Sequence, residues 1–191
     1  MSPRGRGLLS DCPENRLSEA EVILRLAMHL LKTRDVRGDL LVHIDGAAVC
    51  VKGRVIFDVS RFLRQNAWRR TSRNNPNSWQ GIWEKRKTRM LVTPRPGQGD
   101  VVVCTPSVRI FSECKGGPLT EMKGSKERQI LNEVIGQLIT SAGSRSDDML
   151  VAAVPDSLHF RRLVNRFSAK LADAHLPIHI ALVGRDGVTD V

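Results

Sequence analysis

The stretch GDVVVCTPSVRIFSECK, residues 99–115, decides the fold that this sequence predicts. Its two apolar runs, separated by Thr-Pro-Ser, are typical of two β-strands joined by a tight turn. Side chains at positions i and i+2 of a strand lie on one face, so Glu113 and Lys115 project together. A short turn also pairs Asp100 with Ser112 or Glu113 on the second strand. We therefore expect Asp100, Glu113 and Lys115 to form one small patch.

This patch would hold two carboxylates and an amine at close range. Such a grouping is costly unless a cation or a substrate uses it, because the two acids repel each other. Mg²⁺ prefers oxygen ligands and is often bound by one or two carboxylates together with waters and phosphates. The pattern thus favours a metal site at Asp100 and Glu113. The alternative is an ordinary exposed ion pair between Glu113 and Lys115.

The spacing of these residues resembles the signature of the PD-(D/E)XK nuclease superfamily, which contains many restriction endonucleases and Holliday-junction resolvases. Asp100 matches the first acid, Glu113 the second acid and Lys115 the lysine, while Gly99 stands at the usual proline. The resemblance implies hydrolysis of phosphodiester bonds in duplex or branched DNA with Mg²⁺, or with Mn²⁺ in its place. It also implies that Asp100, Glu113 and the carbonyl of Cys114 bind the metal. Lys115 would orient or activate the attacking water, or offset charge in the transition state.

Two accessory residues follow from the same resemblance. In several branches of the superfamily, a glutamate of the first helix joins the metal site and a glutamine approaches it from the helix after the lysine. Glu21 and Gln137 match these positions, and Glu133 lies one helical turn before Gln137. Capping of the first helix by Ser18 explains Glu21 equally well. The tyrosine that one branch carries four residues after the glutamine is Ser141 in this chain.

The charge of the chain points to a polyanionic partner. The net charge is +10, and residues 61–95 contain a single acid, Glu84. Trp68, Trp79 and Trp83 lie in the same segment, either to stack on bases or to anchor a basic loop to the core. We expect nucleic acid to contact Arg69, Arg70, Arg73, Lys85, Arg86 and Lys87.

Hydrophobic periodicity predicts an α/β protein with a central mixed β-sheet flanked by helices, as in the restriction-endonuclease-like core. We expect a flexible N-terminal tail at residues 1–16 and a single nuclease-like domain at 17–191, with a basic insertion around 54–96. The helices are expected at 17–32, at 125–141 and from Asp156 or Ser157, with a short one beginning at Asp58 or Ser60. Apart from the 99–115 hairpin, strands are expected at 40–51, 54–59, 149–154 and 178–183, and a short one at 90–93.

Cysteine spacing and hydropathy indicate the cellular compartment of the protein. The four cysteines have no zinc-ligand spacing, and the sequence has no run long and apolar enough to cross a membrane. We therefore expect a reducing, cytoplasmic setting. Because many nucleases of this kind act as dimers, the resemblance leaves a homodimer open. Two other functions remain open, a nucleic-acid-binding module that cleaves nothing and an assembly subunit whose basic segment meets an acidic protein.

Overall fold

The computed structural model describes residues 15–51, 53–71, 78–95, 99–120, 125–141 and 143–190. Within these residues a nine-stranded mixed sheet is flanked by four helices, which confirms the predicted α/β class. The helices are α1 (Glu19–Thr33), α2 (Val59–Gln65), α3 (Ser125–Thr140) and α4 (Leu158–Asp173). The strands are β1 (Arg16–Leu17), β2 (Leu40–His43), β3 (Ala48–Val51), β4 (Arg54–Asp58), β5 (Arg69–Arg70), β6 (Gly81–Lys85), β7 (Thr88–Thr93), β8 (Val101–Cys104), β9 (Arg109–Cys114), β10 (Gly117–Pro118), β11 (Met149–Pro155), β12 (Ile178–Val183) and β13 (Val188–Asp190).

The main sheet has the strand order β13-β12-β11-β9-β8-β2-β7-β6-β5. β2 pairs in parallel with β7, β9 with β11 and β11 with β12, while β8 is antiparallel to both β2 and β9. The strands β7, β2, β9, β11 and β12 therefore run in one direction. Their carboxyl ends meet at one edge of the sheet, called here the carboxyl edge. Ligands of open α/β sheets bind outside this kind of edge.

The two faces of the sheet bury different helices, because alternate side chains of a strand point to opposite faces. Val101, Val103 and Ile110 pack on the same side as α1. Val102 and Phe111 pack with α3 and α4 on the other side. The predicted β8–β9 hairpin thus lies in the middle of the protein, and its apolar residues contribute to both cores. Among the described residues, no helix combines the length and apolar character needed to span a membrane.

The predicted strand at residues 40–51 is wrong in its middle. β2 ends at His43, and the chain turns through Asp45 before β3 begins. β3 and β4 then form a separate two-stranded sheet, called here the β3–β4 hairpin. The expected short helix follows directly as α2, and the carboxylate of Asp58 caps it by accepting the N–H of Arg61 at 2.6 Å. Aspartate is among the preferred N-cap residues, which explains why the helix begins there.

The predicted basic insertion is built into the main sheet. It supplies β5, β6 and β7, and β7 pairs directly with β2. Trp68 and Trp83 are buried in the core on the α1 side, and the indole N–H of Trp83 donates to the carbonyl oxygen of Trp79 at 2.9 Å. These tryptophans therefore anchor the segment to the core, which was the alternative to stacking on bases.

Most of the predicted N-terminal tail, residues 1–16, lies outside the described residues. These begin at Asn15, and Arg16 already belongs to β1. β1 pairs with β10 in antiparallel fashion, with Arg16 opposite Pro118 and Leu17 opposite Gly117. This pairing joins the start of α1 to the chain that follows Lys115.

Candidate active site

Asp100 lies at the carboxyl edge, immediately before β8, and only 8% of its surface is exposed. Its main chain is bonded on both sides: its N–H donates to the carbonyl oxygen of Ser112 at 2.9 Å, and its carbonyl oxygen accepts the N–H of His43 at 2.8 Å. Its carboxylate oxygen Oδ2 accepts the N–H of Cys114 at 2.7 Å. Because Val101 lies opposite Ser112, the hairpin places Asp100 beside Glu113.

The carboxyl groups of Asp100 and Glu113 form a coupled pair that resists double ionisation. Burial, then the charge of Glu113, and to a smaller extent that of Glu19, raise the pKa of Asp100 to about 8, although the N–H of Cys114 opposes the shift. Burial also raises the pKa of Glu113, and its hydrogen bond with Asp100 opposes that rise. Because the pKa of each acid is raised, ionising both is costly, and a divalent cation bound between them would relieve that cost.

Lys115 reaches two carboxylates that come from different helices. Its Nζ lies 3.4 Å from Oε2 of Glu19 in α1 and 3.6 Å from Oε1 of Glu133 in α3. Its main-chain N–H donates to the carbonyl oxygen of Ala153 at 2.9 Å, which fixes the backbone against β11. Burial opposes the charge on the amine, but Glu19 and Glu133 outweigh it, so the pKa of Lys115 is raised. Lys115 is therefore a cation at neutral pH and suits a charge-stabilising role.

Glu19 is a site residue that sequence reasoning missed. Ser18 caps α1 by accepting the N–H of Glu21 at 3.2 Å, as the capping interpretation holds. The carboxylate of Glu21 instead accepts two hydrogen bonds from Arg25, at 3.0 and 2.8 Å. Positions two apart in a helix point in different directions, so only one of the two glutamates can face Lys115. Two acids in the first turn after the cap were the available signal, but the sequence did not say which of them contacts Lys115.

α3 presents Glu133, rather than Gln137, to Lys115. Glu133 lies one turn before Gln137 on this helix and makes the contact with the amine. The side-chain oxygen of Gln137 is buried and has no hydrogen-bond partner within the described part of the chain. The helix after the lysine thus contributes an acid where the resemblance predicts an amide.

Gly99 departs from the superfamily signature for a physical reason. Its φ of +81° is one that proline cannot adopt, because the proline ring holds φ near −65°. A Cβ at this position would also lie 2.8 Å from the ring of Phe111. The chain therefore enters β8 by a route that requires glycine before Asp100.

Gly116 lets α1 approach the site closely. A Cβ added at Gly116 would lie 2.6 Å from the backbone nitrogen of Glu19 and 2.9 Å from the carbonyl oxygen of Leu17. Backbone atoms that are held by the β1–β10 pairing cannot move aside easily. The glycine that follows Lys115 is thus what allows Glu19 to reach the amine.

Replacing Gly116 by alanine should push the start of α1 away from Lys115. We expect the free energy of unfolding to fall by about 1–3 kcal/mol, the usual cost of overpacking, as measured by urea denaturation. Gly136→Ala is the matched control, because Gly136 lies in α3 with nothing within 4 Å of an added Cβ. This control should gain up to about 1 kcal/mol from helix propensity. Equal stability changes in the two variants would contradict the role given to Gly116.

The donor set at the carboxyl edge fits a magnesium ion. Asp100 and Glu113 provide two oxygen donors of the type that Mg²⁺ prefers. Two carboxylates that are costly to ionise together are also the arrangement that a divalent cation relieves. Within the described ranges, no three His, Cys, Asp or Glu side chains form a metal-holding cluster. The site expected here has only two side-chain ligands, Asp100 and Glu113, together with the main-chain carbonyl of Cys114. It therefore has fewer side-chain ligands than such a cluster requires.

The basic residues do not form a single patch with the carboxylates. Lys85, Arg86 and Lys87 lie at the turn between β6 and β7, which is at the amino end of β7 and opposite the carboxyl edge. The six residues of β7 separate the two ends by about 17 Å at roughly 3.3 Å per residue. Arg69 is exposed, whereas Arg70 is half-buried and donates from Nε to the carbonyl oxygen of Gln80 at 2.8 Å. The remaining predicted contact, at position 73, lies outside the described residues.

Comparisons of the chain with protein-family models, with curated proteins and with solved structures find no match. The functional argument therefore depends on the geometry of the site itself.

Proposed function

We propose that this protein is a metal-dependent nuclease that hydrolyses phosphodiester bonds in DNA. The observation that carries the proposal is the placement of the carboxyl groups of Asp100 and Glu113 side by side at the carboxyl edge, with the amine of Lys115 two residues after Glu113. Burial raises the pKa of both acids. Lys115 already has two acidic partners in Glu19 and Glu133. A structural ion pair therefore does not account for a second pair of acids, the buried Asp100 and the half-buried Glu113. Strongly perturbed acids at the ligand-binding edge of an α/β sheet are typical of catalytic sites.

Each residue has a separate role in this proposal. Asp100, Glu113 and the carbonyl of Cys114 would bind Mg²⁺, or Mn²⁺ in its place. When bound, the ion would polarise the scissile phosphate and lower the pKa of a coordinated water. Lys115 offsets the negative charge that develops on the phosphate in the transition state. Glu19 and Glu133 hold the amine of Lys115 from two sides, so they act as positioning residues.

A metal-dependence assay tests the proposal directly. Purified protein is incubated with supercoiled, linear, single-stranded and branched DNA, with and without Mg²⁺ or Mn²⁺. Cleavage that requires the divalent ion, and that disappears in the Glu113→Ala protein purified in parallel, supports the nuclease. Cleavage that persists in Glu113→Ala indicates a contaminating enzyme, and absence of cleavage on every substrate overturns the proposal.

A nucleic-acid-binding module without cleavage is the second candidate. The separation between the β6–β7 turn and the carboxyl edge favours it, because Lys85, Arg86 and Lys87 at that turn lie away from the acids. In that case binding is independent of divalent ions.

An assembly subunit with an acidic protein partner would be identified by the failure of plain duplex DNA to compete. A cytoplasmic setting belongs to the proposal too, and the exposed free thiols of Cys50 and Cys104 agree with a reducing compartment.

Binding through the β6–β7 turn predicts a change in salt dependence. The double variant Arg86→Asn and Lys87→Gln removes two exposed cations, and asparagine suits the positive φ of Arg86. If both residues contact phosphates, the slope of log K against log salt should become less steep by about 1.8, or about 0.9 per contact. The control is Arg166→Gln with Lys170→Gln, two exposed cations of α4. A slope unchanged in the first variant would place the contact surface elsewhere.

A further inference from the structure

A cleft opens beside Asp100, between α1 and the β3–β4 hairpin. Its volume is 360 Å³; Glu19 and Ile23 line one wall, and Val49 and Cys50 line the other. Asp100 closes it where β8 begins. The walls are mainly aliphatic, but His43 and Asp45 also line the cleft, so it presents three carboxylates, those of Glu19, Asp45 and Asp100. This arrangement suits a ligand that has an apolar body and a polar group at one side.

The β3–β4 hairpin forms a wall that is fixed at its base and free at its tip. The N–H of Val59 donates to the carbonyl oxygen of Ala47 at 3.0 Å at the base, and Phe57 packs against Phe62 with ring centroids 5.1 Å apart. At the tip, Val51 and Val55 are 41% and 56% exposed. The tip therefore leaves two apolar side chains accessible to a ligand.

A second cleft of 350 Å³ continues along the hairpin. It is lined by Arg16, Val51 and Gly116, and it shares Glu19 and Val49 with the first cleft. The two clefts therefore meet at these two residues and form a path between the hairpin and the start of α1. Each volume lies near the lower end of the roughly 300–1,000 Å³ that holds a small ligand, so each cleft has room for about one nucleotide.

The shape of this path selects its occupant. Arg16 is exposed and lines the second cleft, where it suits a phosphate. A metal at the proposed site would offset the carboxylates of Glu19, Asp45 and Asp100 in the first cleft. The aliphatic walls suit unstacked bases and sugars, since apolar side chains insert between bases that have been separated. An uninterrupted duplex is too wide for a cleft of one nucleotide, because its two backbones are joined by stacked pairs. A single strand is the form of nucleic acid that fits.

We infer that the substrate strand enters singly between α1 and the β3–β4 hairpin, so that single-stranded or flapped nucleic acid is preferred over continuous duplex. This inference rests on the proposed nuclease function and defines its substrate class. The same cleft chemistry accepts DNA or RNA single strands. The experiment therefore includes both.

Matched oligonucleotides test the inference on the full chain. One labelled sequence is offered as single-stranded DNA, single-stranded RNA, blunt duplex DNA and duplex DNA with a single-stranded flap, and Mn²⁺-dependent cleavage rates are compared. We expect at least about tenfold faster cleavage of the single strand or flap than of the blunt duplex, the scale that one base-stacking contact provides. A faster rate on RNA than on DNA would identify RNA as the source of the strand. A duplex rate equal to or above the single-strand rate would overturn the inference.

Two exposed cysteines of the described residues, Cys50 and Cys104, give an internal control within one protein. Cys50 lines the cleft, whereas Cys104 lies at the opposite end of β8 from Asp100. In the cleavage-deficient Lys115→Ala protein with Mn²⁺, single-stranded oligonucleotide should protect Cys50 from a maleimide but leave Cys104 reactive, as read by mass spectrometry. Cys50→Phe should lower single-strand cleavage by about tenfold by filling the cleft, while Cys104→Phe should change it by less than about twofold.

The two kinds of failure are distinguishable. Cleavage of duplex DNA without protection of Cys50 would leave the nuclease in place and overturn the single-strand path. Protection of Cys50 without cleavage of any substrate would overturn the nuclease and support the path as a binding site for single strands. Equal protection of Cys50 by duplex and single strand would also overturn the preference.

Discussion

Replacing Asp100, Glu113 or Lys115 by alanine is expected to reduce cleavage by about 10²–10⁴-fold, the range for loss of one positioned electrostatic or acid–base group. Asp100 and Glu113 supply the negative charge that would hold the metal, and Lys115 supplies the positive charge that faces the phosphate. Initial rates with Mg²⁺ or Mn²⁺ on a fixed DNA substrate measure the effect. Because these residues act on the reacting phosphate, DNA binding should largely survive in each variant.

A matched control distinguishes the loss of a catalytic group from the loss of a negative charge anywhere on the protein. Asp173→Ala removes an exposed acid at the end of α4, far along the chain from the hairpin, and should leave the rate unchanged. Lys115→Ala carries additional information, because it leaves Glu19 and Glu133 facing each other across the site. Full activity in Glu113→Ala, with contamination excluded, would remove the basis for the proposed function.

The second large effect concerns the ionisation of Asp100 beside Glu113. The pKa of Asp100 is raised from 3.8 to about 8 on folding. Between these two values the folded protein holds a proton that the unfolded chain has lost, so stability is greatest below about pH 4 for this group and falls as pH rises towards 8. We expect a loss on the order of a few kcal/mol across this window from urea denaturation. Asp100→Asn cannot ionise at this position, so its stability should vary less with pH and should equal or exceed that of the wild type near pH 8.

Metal binding should reverse this penalty in the wild type alone. A ligand that binds only the folded state raises stability by RT ln(1 + [L]/Kd), which is about 2.7 kcal/mol at a hundredfold excess over Kd. Mn²⁺ is the better probe, because Mg²⁺ sites without substrate phosphates are weak. Thermal melts with Mn²⁺ should show a rise in Tm for the wild type, larger at pH 8 than at pH 6, and no rise for Asp100→Asn. An equal response from both proteins would show that the two carboxylates share no metal, and the binding-module alternative would then be preferred.

The sequence predicted those parts of the site whose geometry depends only on residues close together in the chain. Glu113 and Lys115 share a strand face by their spacing alone, and a short turn places Asp100 opposite them. Which glutamate of α1 reaches Lys115 depends on the rotation of the helix about its axis, which local periodicity does not fix. The contact of Glu133 depends on how α3 crosses β9. Both are consequences of packing between elements distant in sequence.

The basic segment shows a different limit. Counting charges identified the segment but could not assign its cations to either end of β7, because that depends on where the β6–β7 turn falls. The strand predicted at 40–51 failed for a local reason. Asp45 and Gly46 are turn residues, and they interrupt an apolar run that otherwise has the length and composition of one strand.

The pairing of β1 with β10 sets the order in which the protein can assemble. Arg16 lies opposite Pro118, about a hundred residues later in the chain, and this contact holds the start of α1 beside Lys115. Contacts between residues so distant in sequence form slowly, because a long loop must close first. During synthesis the first helix therefore leaves the ribosome long before its partner exists. The acids of α1 and β9 meet only after most of the chain has been made, so a growing or shortened chain lacks the complete carboxylate and lysine cluster.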